Sequence, residues 1–205
     1  MFITTSAEIR WFIKGKIPTS VFDWFIGLND NYVNQAKRTD YYLLLKSDDS
    51  LGIKLREGKV EIKQLNQFIG NISPGKNING NAETWNKWSF ELDQAKNILS
   101  KDLLNNKWLA ITKNRILVNY GITEENIVSQ KKPISYQNGC ITELTSINLN
   151  NEDWWSFGLE AYGEENRQKD NLVLISHLIL NDKGNIRFSL NESLSYPGFI
   201  KLFGN

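Results

Sequence analysis

Charged and apolar residues alternate along residues 52–64, GIKLREGKVEIKQ, and this alternation constrains the fold more than any other feature of the chain. Successive side chains of a β-strand point to opposite faces, so the segment predicts a hairpin with one charged and one apolar face. Glu57 and Gly58 provide its tight turn. The charged face carries Lys54, Arg56, Lys59, Glu61 and Lys63. These charges either meet water, as in an ordinary hairpin, or line the interior of a barrel.

The same two-residue period recurs along most of the chain and predicts about eight strands, the number that closes a small barrel. The predicted strands are residues 7–14, 40–46, 51–57, 59–65, 84–92, 108–120, 140–149 and 154–163. Closure would remove the exposed edges that strands of this length otherwise present. The expected fold class is mainly β (α+β), with a few covering helices and a single domain spanning residues 1–205.

Helical patterns are fewer than strand patterns. Apolar residues at helical spacing predict helices over residues 20–28, with Ser20 as the N-cap, and over residues 93–104. Residues 165–180 fit either a packed helix or a buried strand, which periodicity does not separate. An aromatic-rich helix must cover apolar surface, which favours helices on the apolar strand face and charges turned inward. Segments rich in Gly, Asn, Pro and Ser predict surface loops at residues 70–83 and 129–139.

The composition restricts the classes of partner. Lysine and arginine number 24 against 23 aspartate and glutamate residues, so there is no diffuse basic surface for nucleic acid or anionic lipid. No apolar run approaches the ~18 residues of a membrane span, and the N-terminus lacks a secretion signal pattern, so we expect a soluble, cytoplasmic protein. One cysteine, Cys140, and one histidine, His177, exclude a Cys/His zinc site. Both are expected to be core residues, and any metal ion would be held by carboxylates and water.

Basic and acidic residues also recur, often two positions apart, in a fixed order along the predicted strands. The basic positions are Lys54, Arg56, Lys63, Lys113 and Arg115, and the acidic positions are Glu8, Glu143 and Glu160. The segment SYPGFIKLF, residues 195–203, follows them as the candidate for the last helix. In this order, over most of its length, the chain resembles the CYTH, or triphosphate tunnel metalloenzyme, superfamily.

The resemblance implies an eight-stranded antiparallel closed β-barrel, or tunnel, with a site for phosphates and divalent metal inside. Phosphate-binding residues would be Lys54, Arg56, Lys63, Lys113 and Arg115, and one Mg²⁺ or Mn²⁺ would be held by Glu8, Glu143 and Glu160. Arg10 would join the phosphate-binding residues if it shares the lumen with them. The implied ligand is a phosphate-rich small molecule, a triphosphate or polyphosphate-like anion. Its hydrolysis would use water as the nucleophile and depend on positioning and charge neutralisation by the metal.

The chain departs from the family pattern on the acidic side. Arg10 and Phe12 stand where the family has a glutamate and a lysine, and Thr145 and Gly158 stand where it has further carboxylates. An internal ion pair between Arg10 and Glu8 could replace the metal, which leaves a catalytically inactive binding or interaction module as an alternative. A third hypothesis is a lipocalin-like barrel for a hydrophobic ligand, in which the charged strand faces would meet solvent.

Overall fold

Strands make up most of the chain in the computed structural model, which describes residues 2–91, 107–123, 126–130, 136–181 and 186–204. The strands are β1 (Phe2–Lys14), β2 (Val33–Asn34), β3 (Arg38–Leu43), β4 (Leu51–Arg56), β5 (Lys59–Gly75), β6 (Ile78–Glu91), β7 (Trp108–Ile122), β8 (Ile127–Gln130), β9 (Asn138–Leu149) and β10 (Glu152–Tyr162). Each of the eight strands predicted from the sequence corresponds to one of the long strands.

Eight of these strands close into an antiparallel barrel in the order β7-β3-β4-β5-β6-β1-β10-β9, and β9 pairs with β7 to complete it. The predicted fold class, a mainly β closed barrel with a few helices, is confirmed. The short strands β2 and β8 were not predicted, and both pair with β7. They are too short to produce a clear two-residue period in the sequence.

Three α-helices are present in the described part of the chain: α1 (Thr19–Ile26), α2 (Glu165–Leu180) and α3 (Tyr196–Lys201), with a 3-10 turn at Leu190–Glu192. The helix predicted over 20–28 exists, but its N-cap is Pro18 and not Ser20. Residues 165–180 form a helix, and the predicted 195–203 segment contains α3. The helix predicted over 93–104 lies outside the described residues. None of the described helices is long and apolar enough to cross a membrane.

The prediction of a surface loop over residues 70–83 is wrong. β5 continues to Gly75 and β6 begins at Ile78, so most of this segment is the outer half of a long hairpin. Backbone hydrogen bonds sustain the pairing although the side chains are small and polar, and three register shifts in β5 accommodate the irregular sequence. Of the loop predicted over 129–139, residues 131–135 are outside the described residues, and strands occupy both ends.

The main apolar core lies between the outer face of the barrel and the helices. Trp11 of β1 and Phe157 of β10 stack with Phe188 at centroid distances of 4.9–6.0 Å, and all three are fully buried. Helix α2 contributes Leu172, Ile175 and Ile179 to the same cluster. Cys140 of β9 is also part of it and is buried, as expected from the sequence. The prediction of a core histidine is wrong, since His177 lies on the exposed face of α2 beside Leu174 and Leu178.

A second apolar cluster fills one end of the barrel interior. Phe12 follows Arg10 on the inward face of β1, and Ile111 precedes Lys113 on the inward face of β7. Phe199 of α3 stacks on Phe12 with ring centroids 4.1 Å apart. The inward-facing positions therefore change from charged to apolar toward α3, which closes this end of the interior.

The position of the main core predicts the effect of truncating its aromatic residues. Phe157→Ala should lower the free energy of unfolding by about 3–5 kcal/mol, because it removes a fully buried ring and leaves a cavity. Chemical denaturation measures this difference. Phe68→Ala is the matched control, since Phe68 is 53% exposed and its truncation should change stability little. Equal losses in the two variants would contradict a core outside the barrel.

Candidate functional site

Every residue that the sequence predicts to bind phosphate or metal lines one cavity of about 110 Å³ inside the barrel. These are Glu8, Arg10, Lys54, Arg56, Lys63, Lys113, Arg115, Glu143 and Glu160. Six further polar residues line the same cavity: Arg38, Asp40, Tyr42, Glu61, Lys87 and Tyr196. Apart from Glu61, they were not proposed as interior residues from the sequence. The alternation of Arg38, Asp40 and Tyr42 in RTDYYL is the signal that could have identified the β3 residues.

The lining has an excess of positive charge. Among the described residues it contains eight lysines and arginines against five aspartates and glutamates, which is a formal charge of +3. Buried charges are costly unless they are paired or hydrogen-bonded. Four of the five acids form ion pairs with these bases, and Asp40, Glu61 and Glu143 each pair with two or more of them.

Glu143 lies between two arginines. Its Oε1 accepts hydrogen bonds from Arg10 Nη1 at 2.8 Å and from Thr145 Oγ1 at 2.8 Å, and its Oε2 accepts one from Arg115 Nη1 at 3.0 Å. Burial acts to raise the pKa of Glu143, but Arg10 and Arg115 outweigh it and hold the pKa well below its usual value. Glu143 is therefore a carboxylate with both oxygens occupied.

Arg10 reaches Glu143 because Gly158 separates them. Arg10 faces Gly158 in the β1–β10 register, and Gly158 faces Glu143 in the β10–β9 register. A Cβ at position 158 would lie 2.6 Å from Arg10 Cζ, so only glycine leaves room for the guanidinium. Arg10 Nη1 also donates to Ser156 Oγ at 3.1 Å, and Cζ lies 5.1 Å from the centroid of the Tyr196 ring. The sequence suggested Glu8 as the partner of Arg10, but the structure pairs Arg10 with Glu143.

Lys113 is enclosed by aromatic rings and other cations. Its Nζ donates to Tyr42 Oη at 2.6 Å, lies 3.3 Å from Asp40 Oδ2, and lies 3.7 Å from the centroid of the Tyr196 ring. Asp40 is fully buried and also accepts from Arg38 Nε at 3.1 Å. Burial is the main cause that lowers the pKa of Lys113 to about 7, and the charge of Arg10 acts in the same direction.

Glu61 is surrounded by three basic side chains. Its carboxylate lies 2.8 Å from Lys54 Nζ, 3.6 Å from Arg56 Nη1 and 3.7 Å from Lys87 Nζ. Burial opposes ionisation, but Lys54 and Lys87 together lower the pKa of Glu61 to about 2. Burial also lowers the pKa of Lys54 to about 8, and Lys113 contributes. As at Lys113, burial outweighs the neighbouring carboxylates at Lys54.

Glu8 and Glu160 face each other in the β1–β10 register. Glu8 forms an ion pair with Lys63 and accepts a hydrogen bond from Ser6 Oγ at 2.6 Å. Burial raises and Lys63 lowers the pKa of Glu8, and the net effect is a lowered pKa. Burial and the neighbouring charge of Glu8 raise the pKa of Glu160. The two carboxyl groups are thus in different environments although they are adjacent.

The predicted metal ligands do not form a metal-binding group. Glu8 and Glu160 are neighbours, but Glu143 is engaged by Arg10, Arg115 and Thr145. Within the described ranges, no three His, Cys, Asp or Glu side chains are arranged so that they could hold a metal ion. The donor set present therefore fits ion pairing better than Mg²⁺ or Mn²⁺ coordination.

Comparison with known proteins gives no family assignment. No protein-family model matches the chain, and no curated protein matches it significantly. The resemblance described above therefore depends on the order of the charged strands, and functional inference depends on the geometry of the cavity.

The ion pairs of Glu143 predict a large effect of neutralising this residue. Glu143→Gln should lower the free energy of unfolding by about 3–5 kcal/mol near neutral pH, because Arg10 and Arg115 would remain buried without their counter-charge. Because the pKa of Glu143 is lowered in the folded state, its stabilisation is present above its ordinary pKa of 4.5 and is lost as the pH falls toward the folded value. The difference between variant and wild type should therefore shrink in acid.

Chemical denaturation at about pH 7 and about pH 3 measures both effects. Glu152→Gln is the control, because Glu152 forms an exposed pair with Lys14 and its neutralisation should leave the free energy of unfolding unchanged. A Glu143→Gln protein as stable as the Glu152→Gln control at neutral pH would contradict the arrangement.

Proposed function

We propose that the barrel interior binds a triphosphate or polyphosphate-like anion. The observation that carries this proposal is the excess of basic over acidic side chains in the cavity lining, which includes two enclosed lysines, Lys54 and Lys113, whose pKa values burial lowers to about 8 and about 7. An anion placed among these side chains would supply the missing charge and favour their protonated forms. The binding free energy would thus come from charges that the free protein already holds in place.

The chemistry of the lining supports phosphate as the anionic group. Arg56 and Arg115 offer planar guanidinium donors that can bind two phosphate oxygens each, and the lysines supply compact charges. The cavity, at about 110 Å³, is smaller than the ~300–1,000 Å³ of typical organic ligand sites. We therefore propose that the phosphate chain itself enters the interior, and that a nucleoside or other organic group is not required.

Among the alternatives, a binding module is favoured over a hydrolase and over a lipocalin-like barrel. The charged lining argues against a hydrophobic ligand, since an apolar molecule would leave the interior ions unsolvated. The engagement of Glu8 and Glu143 in ion pairs argues against the metal-dependent hydrolysis implied by the CYTH resemblance. The basic half of that resemblance supports the same class of ligand.

Thermal stabilisation tests the proposed binding directly. Inorganic tripolyphosphate should raise the unfolding temperature, with ATP and thiamine triphosphate as comparisons; a ligand at 100 times its Kd stabilises by about 2.7 kcal/mol. Released phosphate is measured in the same samples with Mg²⁺ or Mn²⁺ present, and none is expected. Failure of tripolyphosphate to stabilise the protein would overturn the binding proposal. Phosphate release that is lost in Glu143→Gln would show an enzyme instead of a binding module.

Arg56 offers a more specific test of the phosphate site. Its Nε is buried, has no hydrogen-bond partner among the described residues and lies 3.4 Å from Glu57 Oε2, an exposed carboxylate that a bound anion would have to displace. Arg56→Gln should weaken tripolyphosphate binding about 10–100-fold, since a hydrogen bond to a charged group contributes roughly 1.5–3 kcal/mol. Isothermal titration calorimetry measures the affinities. Arg167→Gln, at an exposed position of α2, is the control and should bind like wild type.

The lowered pKa of Lys113 inside the cavity predicts that anion binding is linked to protonation. With its pKa near 7 in the free protein, Lys113 is partly neutral near neutral pH, and a bound anion should raise this pKa, so binding should take up protons. Calorimetry in two buffers of different ionisation enthalpy measures the number of protons. Lys113→Arg should reduce the uptake, because arginine stays charged, whereas the exposed control Lys14→Arg should not. Unchanged uptake in Lys113→Arg would contradict the role of Lys113.

A further inference from the structure

The residues around Arg10 leave space for its guanidinium inside the barrel and bind it there. Gly158 lies opposite it without a side chain, Ser156 accepts one hydrogen bond, and Glu143 forms an ion pair with it. The ring of Tyr196 lies against another side of the guanidinium. We propose that the Arg10 guanidinium takes the place of a divalent metal ion in the interior, so that anion binding requires no metal; this inference rests on the proposed anion binding.

The carboxylate oxygens support this assignment. Glu143 Oε1 and Oε2 accept three hydrogen bonds in total, two of them from guanidinium groups. Glu8 is held by Lys63 and Ser6. Mg²⁺ requires near-ideal octahedral oxygen ligands and usually retains several waters. Two of the three predicted metal ligands, Glu143 and Glu8, therefore already direct their oxygens at cationic side chains.

Arg10 also has donors left for an anion. Its hydrogen bonds to other described residues all come from Nη1, whereas a guanidinium carries five N–H donors. Nε and Nη2 therefore remain for phosphate oxygens. The charge of Glu143 raises the pKa of Arg10 despite burial, so the group stays charged at every physiological pH. Arg10 thus links a carboxylate to an anion, which is the electrostatic role of a bridging cation.

The first experiment measures Mn²⁺ alone, without any anion. Titrations followed by the electron paramagnetic resonance of free Mn²⁺ should show no binding to the wild-type protein. Specific Mn²⁺ binding to the wild type, abolished in Glu143→Gln, would overturn the inference whether or not the protein binds phosphates.

The second experiment tests whether a metal can replace the guanidinium. With tripolyphosphate, the wild type should bind in EDTA, where no metal ion is available. Arg10→Ala should bind at least about tenfold more weakly in EDTA, a loss of ~1.4 kcal/mol, and Mn²⁺ should restore part of that affinity. The volume-conserving Arg10→Gln is measured in parallel, in case the alanine variant does not fold. Because Mn²⁺ also complexes tripolyphosphate itself, each variant is compared with the wild type within the same medium, where this complexation cancels.

Arg115→Gln is the matched control, because Arg115 binds the same carboxylate but does not lie over Gly158. It should weaken anion binding without rescue by Mn²⁺. A metal requirement in the wild type, or absence of rescue in both Arg10 variants, would overturn the inference while leaving anion binding intact. Absence of tripolyphosphate binding by the wild type in both EDTA and Mn²⁺ would instead overturn the proposed function.

Discussion

The structure depends on one constraint, the alternation of side chains along strands that close into a barrel. Closure gives every strand an inside and an outside face, and the apolar residues of β1 and β10, such as Trp11 and Phe157, are on the outside. Helices α1 and α2 cover that outer face and complete the core there. The charged positions are consequently enclosed, and they must be compensated by one another or by a ligand. The apolar cluster under α3 then limits this charged space to part of the interior.

The ion pairs of the interior are difficult to explain as a means of stabilising the fold. A buried ion pair loses solvation energy, and well-packed apolar residues of similar volume are often as stabilising or more so. A barrel with an apolar core outside could have filled its interior as it does around Phe12 and Phe199. Instead, Glu143 and Glu61 each serve two or more bases, and basic residues still exceed acidic ones. This excess is the basis of the proposed anion binding.

Sequence periodicity predicted the strands well because each long strand has two chemically different faces. It failed at residues 70–83, where Gly, Asn, Ser, Pro and Lys predominate and the composition resembles that of a loop, although Ile78 of this segment is fully buried. It also failed for His177, since the surrounding apolar residues suggested burial, although Leu174 and Leu178 beside it are exposed. Within the site, the sequence could identify inward positions but not partners. The pairing of Arg10 with Glu143 depends on the strand order β1-β10-β9, which joins residues 133 positions apart.

Arg10, Gly158 and Thr145, which are far apart in the sequence, form one local arrangement around Glu143 in the barrel. Arg10, Gly158 and Glu143 are consecutive across three neighbouring strands, so an arginine at position 10 can reach Glu143 only if position 158 has no side chain. Thr145, on the same strand as Glu143, donates to the carboxylate that the arginine binds. A carboxylate at position 158 would collide with the guanidinium, and one at position 145 would replace this donor with a second negative charge. Acidic side chains at positions 145 and 158 would therefore disturb the ion pair between Arg10 and Glu143.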